Sequence, residues 1–136
     1  MYTHETSLSV RYYETDLMGI VHHSNYIRYF ECGRNEALIS LGLPIKEVEN
    51  RGIMMPVVNV SCFYKTPAKQ GDSLRIVSKI KEVPKVKLII DTEIYNSEGD
   101  LVCYGTVTLG FIHSDTRRAT RAPKFITELF EQFFTN

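Results

Sequence analysis

The sequence predicts an α+β protein in which one antiparallel five-stranded sheet curls around a single long helix, followed by a short C-terminal helix. Three observations predict this fold. Residues from about Ser24 to Leu41 follow helical periodicity. The segments before and after that helix alternate apolar and polar side chains, as half-buried strands do. The strands that follow the helix are separated by short turns, so we expect them to pair antiparallel.

The predicted helix has a wide apolar arc opposite a narrow polar strip. An arc this wide indicates a helix that other elements wrap around. Arg34 falls inside the arc, so we expect it to pair, with Glu31 as the nearby carboxylate. The members of the arc are Tyr26, Phe30, Gly33, Ala37 and Leu41.

Local signals mark both ends of this helix. Gly42 and Pro44 predict its C-terminal end. Ser24 and Asn25 are both favourable N-cap residues, but neither has Glu or Gln three residues later, so no capping box forms. First-turn amides are then free to hold a ligand.

Alternation predicts strands over residues 2–13, 54–64, 74–80, 86–94 and 101–112. In the first strand, Leu8, Val10 and Tyr12 share one face. The predicted connections are a polar link at 46–52, a loop at 66–72, a hairpin tip at 83–84 and a turn at 96–100. Pro123 is placed to begin the final short helix.

The outer face of the predicted sheet carries more apolar side chains than a face in water needs. This surface suggests a partner, most simply a second copy of the chain, although scattered surface apolar residues are also common. The residues concerned are Val57, Phe63, Val77, Ile89, Val102, Tyr104 and Ile112.

The composition fits one domain over residues 1–136, with 16 basic and 16 acidic residues and a net charge of zero. That balance argues against general binding to nucleic acid or to an anionic membrane. No apolar run approaches the ~20 residues of a spanning helix, and the N-terminus does not resemble a signal peptide. The three cysteines are far apart, which indicates reduced thiols in a cytoplasmic protein.

Asp16 precedes both a glycine turn at Gly19 and the predicted helix start. Unpaired amides and the helix dipole would favour an ionised carboxylate there, and the same amides could stabilise an oxyanion during acyl transfer. A carboxylate beside such amides can attack an activated acyl group or activate a water. Spacing alone favours the simpler interpretation, in which Asp16 is a turn residue.

Other candidate groups give weaker signals. His22 and His23 lack a third ligand at a suitable spacing, so we predict no metal site. Ser24 lacks the motif of a nucleophile elbow. Basic residues cluster around the predicted hairpin tip, where they could contact carrier phosphates or could form a solvated strand edge. These residues are Lys79, Lys81, Lys85 and Lys87, and a second basic group comprises Arg117, Arg118 and Arg121.

The run YETDLMGIVHHSNY, from Tyr13 to Tyr26, resembles the signature of hotdog-fold acyl-CoA thioesterases, specifically the 4-hydroxybenzoyl-CoA thioesterase family with its bacterial short-chain branch. The resemblance continues through YFE at 29–31 and Arg34, and returns in YKTPA at 64–68 and GD at 71–72. It thus spans nearly the whole chain in the right order.

The resemblance implies a hotdog fold and hydrolysis of an acyl-CoA to a free acid and CoA. It places the catalytic aspartate at Asp16 and both the carbonyl-polarising amide and a branch-typical histidine at His23. His22 stands where that branch often has tyrosine or tryptophan, which alters the acyl pocket. The predicted substrate-binding residues are Gly19, His22, Asn25, Tyr26, Phe30, Val58 and Val60, with Lys79, Lys81, Lys85 and Lys87 for CoA phosphates.

The resemblance also implies that two subunits pair their sheets edge to edge, as a dimer or within a tetramer, with the site at the interface. No metal or redox cofactor is expected, and no nucleic-acid or membrane partner. Two alternatives remain open: a thioesterase acting on acyl carrier protein, and a protein that binds acyl thioesters without hydrolysing them.

Overall fold

The computed structural model describes residues 1–134. In that range the chain forms a five-stranded sheet, a two-stranded sheet and three α-helices. In chain order the elements are β1 (Tyr2–Ser9), α1 (Ser24–Ser40), α2 (Ile45–Asn50), β2 (Ile53–Met54), β3 (Val57–Tyr64), β4 (Ser73–Ile80), β5 (Leu88–Tyr95), β6 (Leu101–Leu109), β7 (Ile112–His113) and α3 (Lys124–Glu131).

The main sheet has the strand order β1-β4-β5-β6-β3, and every neighbouring pair is antiparallel. This confirms the predicted sheet. Because β4 to β6 follow one another through tight turns, the order leaves β1 at one edge and β3 at the other. An edge strand presents backbone groups without a partner in the sheet.

Helix α1 is 17 residues long and packs on one face of the sheet against β1, β4 and β5. Phe30 and Ala37 of its apolar arc are fully buried, as is Leu38 beside the arc. The predicted pairing of Arg34 is present, since its guanidinium lies 4.0 Å from the Glu31 carboxylate. The helix ends at Leu41 before Gly42, as the sequence indicated.

Four predicted boundaries were wrong. The strand predicted at 101–112 ends at Leu109, and Ile112 belongs to β7 of the two-stranded sheet. The first strand ends at Ser9, and residues Tyr12–Glu14 form a 3₁₀ turn in which Tyr12 is exposed instead of facing the core. The link at 46–52 overlaps α2, a mostly polar helix in which Val48 is buried. The strand predicted at 54–64 is broken at Pro56, so that β2 pairs with β7 and only β3 joins the main sheet.

The outer face of the sheet keeps only part of the apolar surface that the sequence suggested. Val77 and Val102 are buried within the protomer, whereas Val57, Phe63, Ile89 and Tyr104 are exposed. The rings of Phe63 and Tyr104 stack with centroids 5.1 Å apart. Among the described helices, none has the length and apolar character needed to cross a membrane.

Candidate active site

The candidate site is built on a short hairpin that leads from the 3₁₀ turn into α1. Glu14 accepts a hydrogen bond at its backbone oxygen from the His22 N–H (2.9 Å), Thr15 bridges to Val21, and the Asp16 N–H donates to Ile20 O (2.8 Å). These bonds put Asp16 on the first arm of the hairpin and the approach to the helix on the second. The hairpin therefore holds the two predicted catalytic positions in one unit.

Asp16 begins the tight turn at the hairpin tip. Its Oδ1 accepts a hydrogen bond from the Met18 N–H (2.8 Å), and the Gly19 N–H donates to the Asp16 backbone oxygen (3.0 Å). Gly19 has a φ of +79°, a conformation that side chains other than glycine's rarely adopt. The Asp16 side chain is exposed, and Oδ2 has no hydrogen-bond partner among residues 1–134. Asp16 is thus both a turn residue and an accessible carboxylate.

The helix start offers one free donor. Helix α1 begins at Ser24 with His23 as the N-cap, and the His23 side chain makes no capping bond. His22 performs part of that role, because its Nδ1 accepts from the Ser24 N–H (3.3 Å) and lies 2.9 Å from Ser24 Oγ. The His23 N–H donates to no described residue. The donor that the sequence placed at His23 is therefore present and unoccupied.

A cavity of about 310 Å³ opens beside this helix start. Its walls combine aromatic rings with aliphatic side chains, and the rings of Tyr26 and Tyr64 lie 5.4 Å apart. The Tyr26 hydroxyl accepts a hydrogen bond from the Ala68 N–H (3.2 Å), and burial raises the pKa of Tyr26. The lining residues are Ile20, Val21, His23, Tyr26, Tyr64, Lys65, Thr66 and Pro67.

Several predicted substrate-binding residues lie elsewhere in the protomer. Asn25 is buried and donates from Nδ2 to the Glu14 backbone oxygen (2.9 Å), so its side chain holds the hairpin against the helix. Phe30 is fully buried in the core. Val58 and Val60 lie on the edge strand β3, where they are 51% and 38% exposed. A contact between substrate and any of these three apolar residues remains a prediction.

The four predicted phosphate-binding lysines lie around the tip that joins β4 to β5. Lys79 pairs with Glu93 and Lys81 with Asp91, whereas Lys85 and Lys87 form no ion pair with a described residue. Together with Lys81 they line a second cavity, of about 250 Å³, whose floor includes apolar residues of the tip. The lining thus holds three lysines and two acidic residues, Glu82 and Asp91, beside apolar surface.

The lysine cavity lies at the end of the sheet opposite to the helix start. Ile80, next to the tip, pairs with Tyr2, and the Tyr2 hydroxyl bonds Ser40 at the C-terminal end of α1. Because α1 has 17 residues, its N-terminal and C-terminal ends are about 25 Å apart. Within one protomer, the lysines are therefore remote from Asp16 and His23.

Sequence reasoning missed the part played by Glu14 and Tyr29. Glu14 is buried, and its Oε1 accepts from the Arg11 N–H (2.8 Å) and from the Tyr29 hydroxyl (3.0 Å). Burial and this bond to Glu14 raise the pKa of Tyr29. A signal was available, because Tyr29 and Glu14 both fall in the segments that carried the family resemblance.

Comparison with known proteins identifies the family. A family model described as the thioesterase-like superfamily matches residues 10–130. The Bacillus subtilis protein YneP is 35% identical over 101 residues, which cover 74% of this chain and 73% of YneP. Acyl-CoA thioesterase YbgC of Helicobacter pylori is 30% identical over 129 residues, which cover 88% of this chain and 94% of YbgC.

A solved structure agrees with these relatives. DHNA-CoA thioesterase of Staphylococcus aureus superposes with a TM-score of 0.89 at 27% identity, covering 98% of this chain and 90% of that protein. The match thus includes the sheet, the hairpin and all three helices. The chain belongs to the thioesterase-like superfamily and is a thioester hydrolase of the hotdog fold.

Proposed function

We propose that the protein hydrolyses an acyl-CoA thioester to a free acid and CoA, with Asp16 and the His23 N–H as its catalytic groups. One observation carries this proposal. A single hairpin presents an accessible carboxylate and leads into a helix whose first free N–H opens beside a cavity of about 310 Å³. The similarity to YbgC, which is named as an acyl-CoA thioesterase, supports the substrate class.

The two groups have complementary tasks in thioester cleavage. Attack on the carbonyl carbon moves an electron pair onto the carbonyl oxygen, and the His23 N–H at the positive end of the α1 dipole stabilises the resulting oxyanion. Collapse of the intermediate breaks the C–S bond and releases the CoA thiolate. Asp16 either attacks directly, giving an acyl-carboxylate anhydride that water hydrolyses, or takes a proton from the attacking water.

The acyl group would occupy the cavity between the rings of Tyr26 and Tyr64. Its walls are mostly apolar, with Ile20, Val21 and Pro67 beside the aromatic rings. Such a surface favours an apolar acyl group. His22, held by its bonds to Ser24, stands beside the mouth with its ring stacked on His23 at 4.3 Å.

We propose that two copies pair through their β3 edges. β3 is a sheet edge with unpaired backbone groups, and its exposed apolar residues would be covered by a second copy. Tyr64 at one end of β3 lies beside the candidate site, whereas Val57 at the other end lies in register with Leu109 and Leu88, next to the lysine tip. Antiparallel pairing would therefore put each site beside the far end of its partner.

This pairing would bring the lysines of one subunit close to Asp16 and His23 of the other. In the pair, Lys85 of the partner subunit lies at the same end of the joined sheet as Asp16. A CoA molecule whose thioester reaches the His23 N–H could then extend its phosphates across the β3 junction to the partner subunit's lysine cavity. Val58 and Val60 of the partner subunit would border the acyl cavity in the same arrangement.

The test is thiol release from a panel of aliphatic and aromatic acyl-CoAs, with acyl groups on acyl carrier protein as a second arm. Asp16→Asn should keep the fold and lower turnover by a factor on the order of 10² or more. Asp115→Asn is the matched control, because Asp115 also accepts a backbone N–H (Thr116, 2.7 Å) in an exposed loop. Parental turnover by Asp16→Asn would show that the role assigned to Asp16 is wrong.

A further inference from the structure

We propose that Glu14 is a positioning residue, which sets the Asp16 carboxylate relative to the His23 N–H through its hydrogen bond to Tyr29. The inference rests on the proposed function and adds a residue to it. Glu14 is a buried carboxylate two residues before Asp16, and the chemistry described above makes no use of it.

The contacts of Glu14 join three parts of the site. Its Oε1 accepts from the Arg11 N–H and from the Tyr29 hydroxyl, which lies in the second turn of α1. Its backbone oxygen accepts from the His22 N–H and from Asn25 Nδ2, both 2.9 Å away. One residue thus connects the 3₁₀ turn, both arms of the hairpin and the first two turns of the helix.

The carboxylate supplies a link that the backbone bonds do not. The backbone oxygen of Glu14 fixes the hairpin to residues 22 and 25 at the helix start. The bond from Tyr29 reaches the next turn, so the first arm of the hairpin is held at two points along α1. The bonds at residues 22 and 25 hold the arm at the helix start, and the Tyr29 bond adds a contact one turn further along α1, which restricts the angle between the arm and the helix. Because Asp16 extends this arm and His23 starts the helix, that angle determines the distance between carboxylate and amide.

A role in stability alone is a poor explanation for this carboxylate. Both groups on Oε1 are hydrogen-bond donors, and burying a carboxyl group is costly unless its oxygens find such partners. Its bond to Arg11 N–H belongs to a short 3₁₀ turn that any acceptor could cap. A fixed geometry for catalysis gives a reason to keep a carboxyl group at this buried position, since a displacement of ~1 Å at a reacting centre costs on the order of 10² in rate.

The experiment compares Tyr29→Phe and Glu14→Gln with the parental protein, by kcat and KM for the best acyl-CoA and by thermal unfolding. Tyr29→Phe removes one hydroxyl and keeps the ring. Tyr95→Phe is its matched control, because the Tyr95 hydroxyl also bonds a carboxylate (Glu93, 2.6 Å) but lies on β5, away from the site. We expect kcat to fall about tenfold or more in both site variants, with KM within about twofold, and no change in Tyr95→Phe.

Each outcome decides the matter. The proposal is supported if kcat falls in folded Tyr29→Phe while KM is retained. It also requires that the variant carrying both Tyr29→Phe and Glu14→Gln has a kcat no lower than that of the slower single variant. It is overturned if folded Tyr29→Phe keeps the parental kcat, or if kcat falls only with the folded fraction. If Glu14→Gln fails to fold, Tyr29→Phe alone decides. An active Asp16→Asn overturns the proposed function and this inference together, whereas an inactive Asp16→Asn with parental Tyr29→Phe overturns only the inference.

Discussion

Gly33 of α1 lies so close to Ile76 of β4 that a Cβ atom on the glycine would stand 2.5 Å from Ile76 Cγ2. Real Cβ atoms do not approach a neighbour that closely, and the next contact, with Ser78 Oγ at 3.1 Å, is also tight. The absence of a side chain at residue 33 therefore sets how closely the helix approaches the sheet.

Gly33→Ala should lower the free energy of unfolding. Overpacking of this kind costs roughly 1–3 kcal/mol, against about 1 kcal/mol gained because alanine favours the helix. We expect a net loss of about 1 kcal/mol, measured by urea unfolding. Glu36→Ala, on the exposed side of α1, serves as the control and should change stability little. A Gly33→Ala protein as stable as the parent would mean that the helix shifts freely on the sheet.

The buried thiol of Cys103 predicts a loss of stability in mild alkali. Burial, with a further contribution from Cys62, raises the pKa of Cys103. The folded chain keeps this proton while the unfolded chain releases it above pH ~8.5. The contribution to stability is therefore complete below that pH and declines as the pH rises.

We expect the urea midpoint to fall between pH 7.5 and pH 9.5, and to fall less steeply in Cys103→Ala. The slope with pH is compared, because the cavity left by alanine also lowers stability at every pH. Cys32→Ala, at an exposed position, should keep the parental slope. An unchanged slope in Cys103→Ala would exclude Cys103 as the source.

The exposed edge strand predicts an oligomer that depends on β3. Val58 is 51% exposed on this strand in the isolated protomer. Val58→Lys should shift the protein from dimer towards monomer in light scattering, because a charge would be buried at the junction. Phe133→Lys, which changes an exposed apolar residue after α3, should leave the mass unchanged. A Val58→Lys protein with the parental mass would contradict β3 pairing.

Lys85 and Lys87, which form no ion pair with a described residue, are expected to affect substrate binding and not the chemical step. Replacing both Lys85 and Lys87 by alanine should raise KM for acyl-CoA about tenfold, since hydrogen bonds to charged groups contribute roughly 1.5 kcal/mol or more, and should leave kcat unchanged. The same acyl group on pantetheine, which lacks the phosphates, should show no change in KM. Lys124→Ala, at an exposed position on α3, is the control. Equal effects on both substrates would argue against a phosphate site.

The elements that could be predicted from the sequence are those in which apolar and polar residues recur at a regular spacing. The alternation at 86–94 and the periodicity from Ser24 to Leu41 report burial directly, so β5 and α1 were predicted to within two residues at each end. Helix α2 was missed because only one of its six residues, Val48, is buried, and no period can be read from one residue. Pro56 was recognised as unfavourable within a strand, but its division of the segment between two sheets depends on β7, which lies far along the chain at Ile112–His113.

The site was predictable only where one local segment carries it. Asp16, Gly19 and His23 fall within eight residues, and the turn and the free amide follow from local backbone chemistry. The tie between Glu14 and Tyr29 joins residues fifteen apart, and only the packed hairpin brings the carboxylate to the phenol. The cavity wall from Tyr64 to Pro67 comes from the far side of the chain and needs the completed sheet.

The distance between the lysine tip and the Asp16 hairpin along one protomer has a genetic consequence. If the phosphate-binding lysines of each active site come from the partner subunit, two variants that are each defective can complement one another in a heterodimer. A heterodimer of an Asp16→Asn chain with a chain lacking Lys85 and Lys87 would contain one centre with every group intact and one with none. Random pairing makes half of the dimers heterodimers, so co-expression of the two defective genes would recover about a quarter of the normal sites, each with ordinary substrate affinity, from parents that are individually impaired.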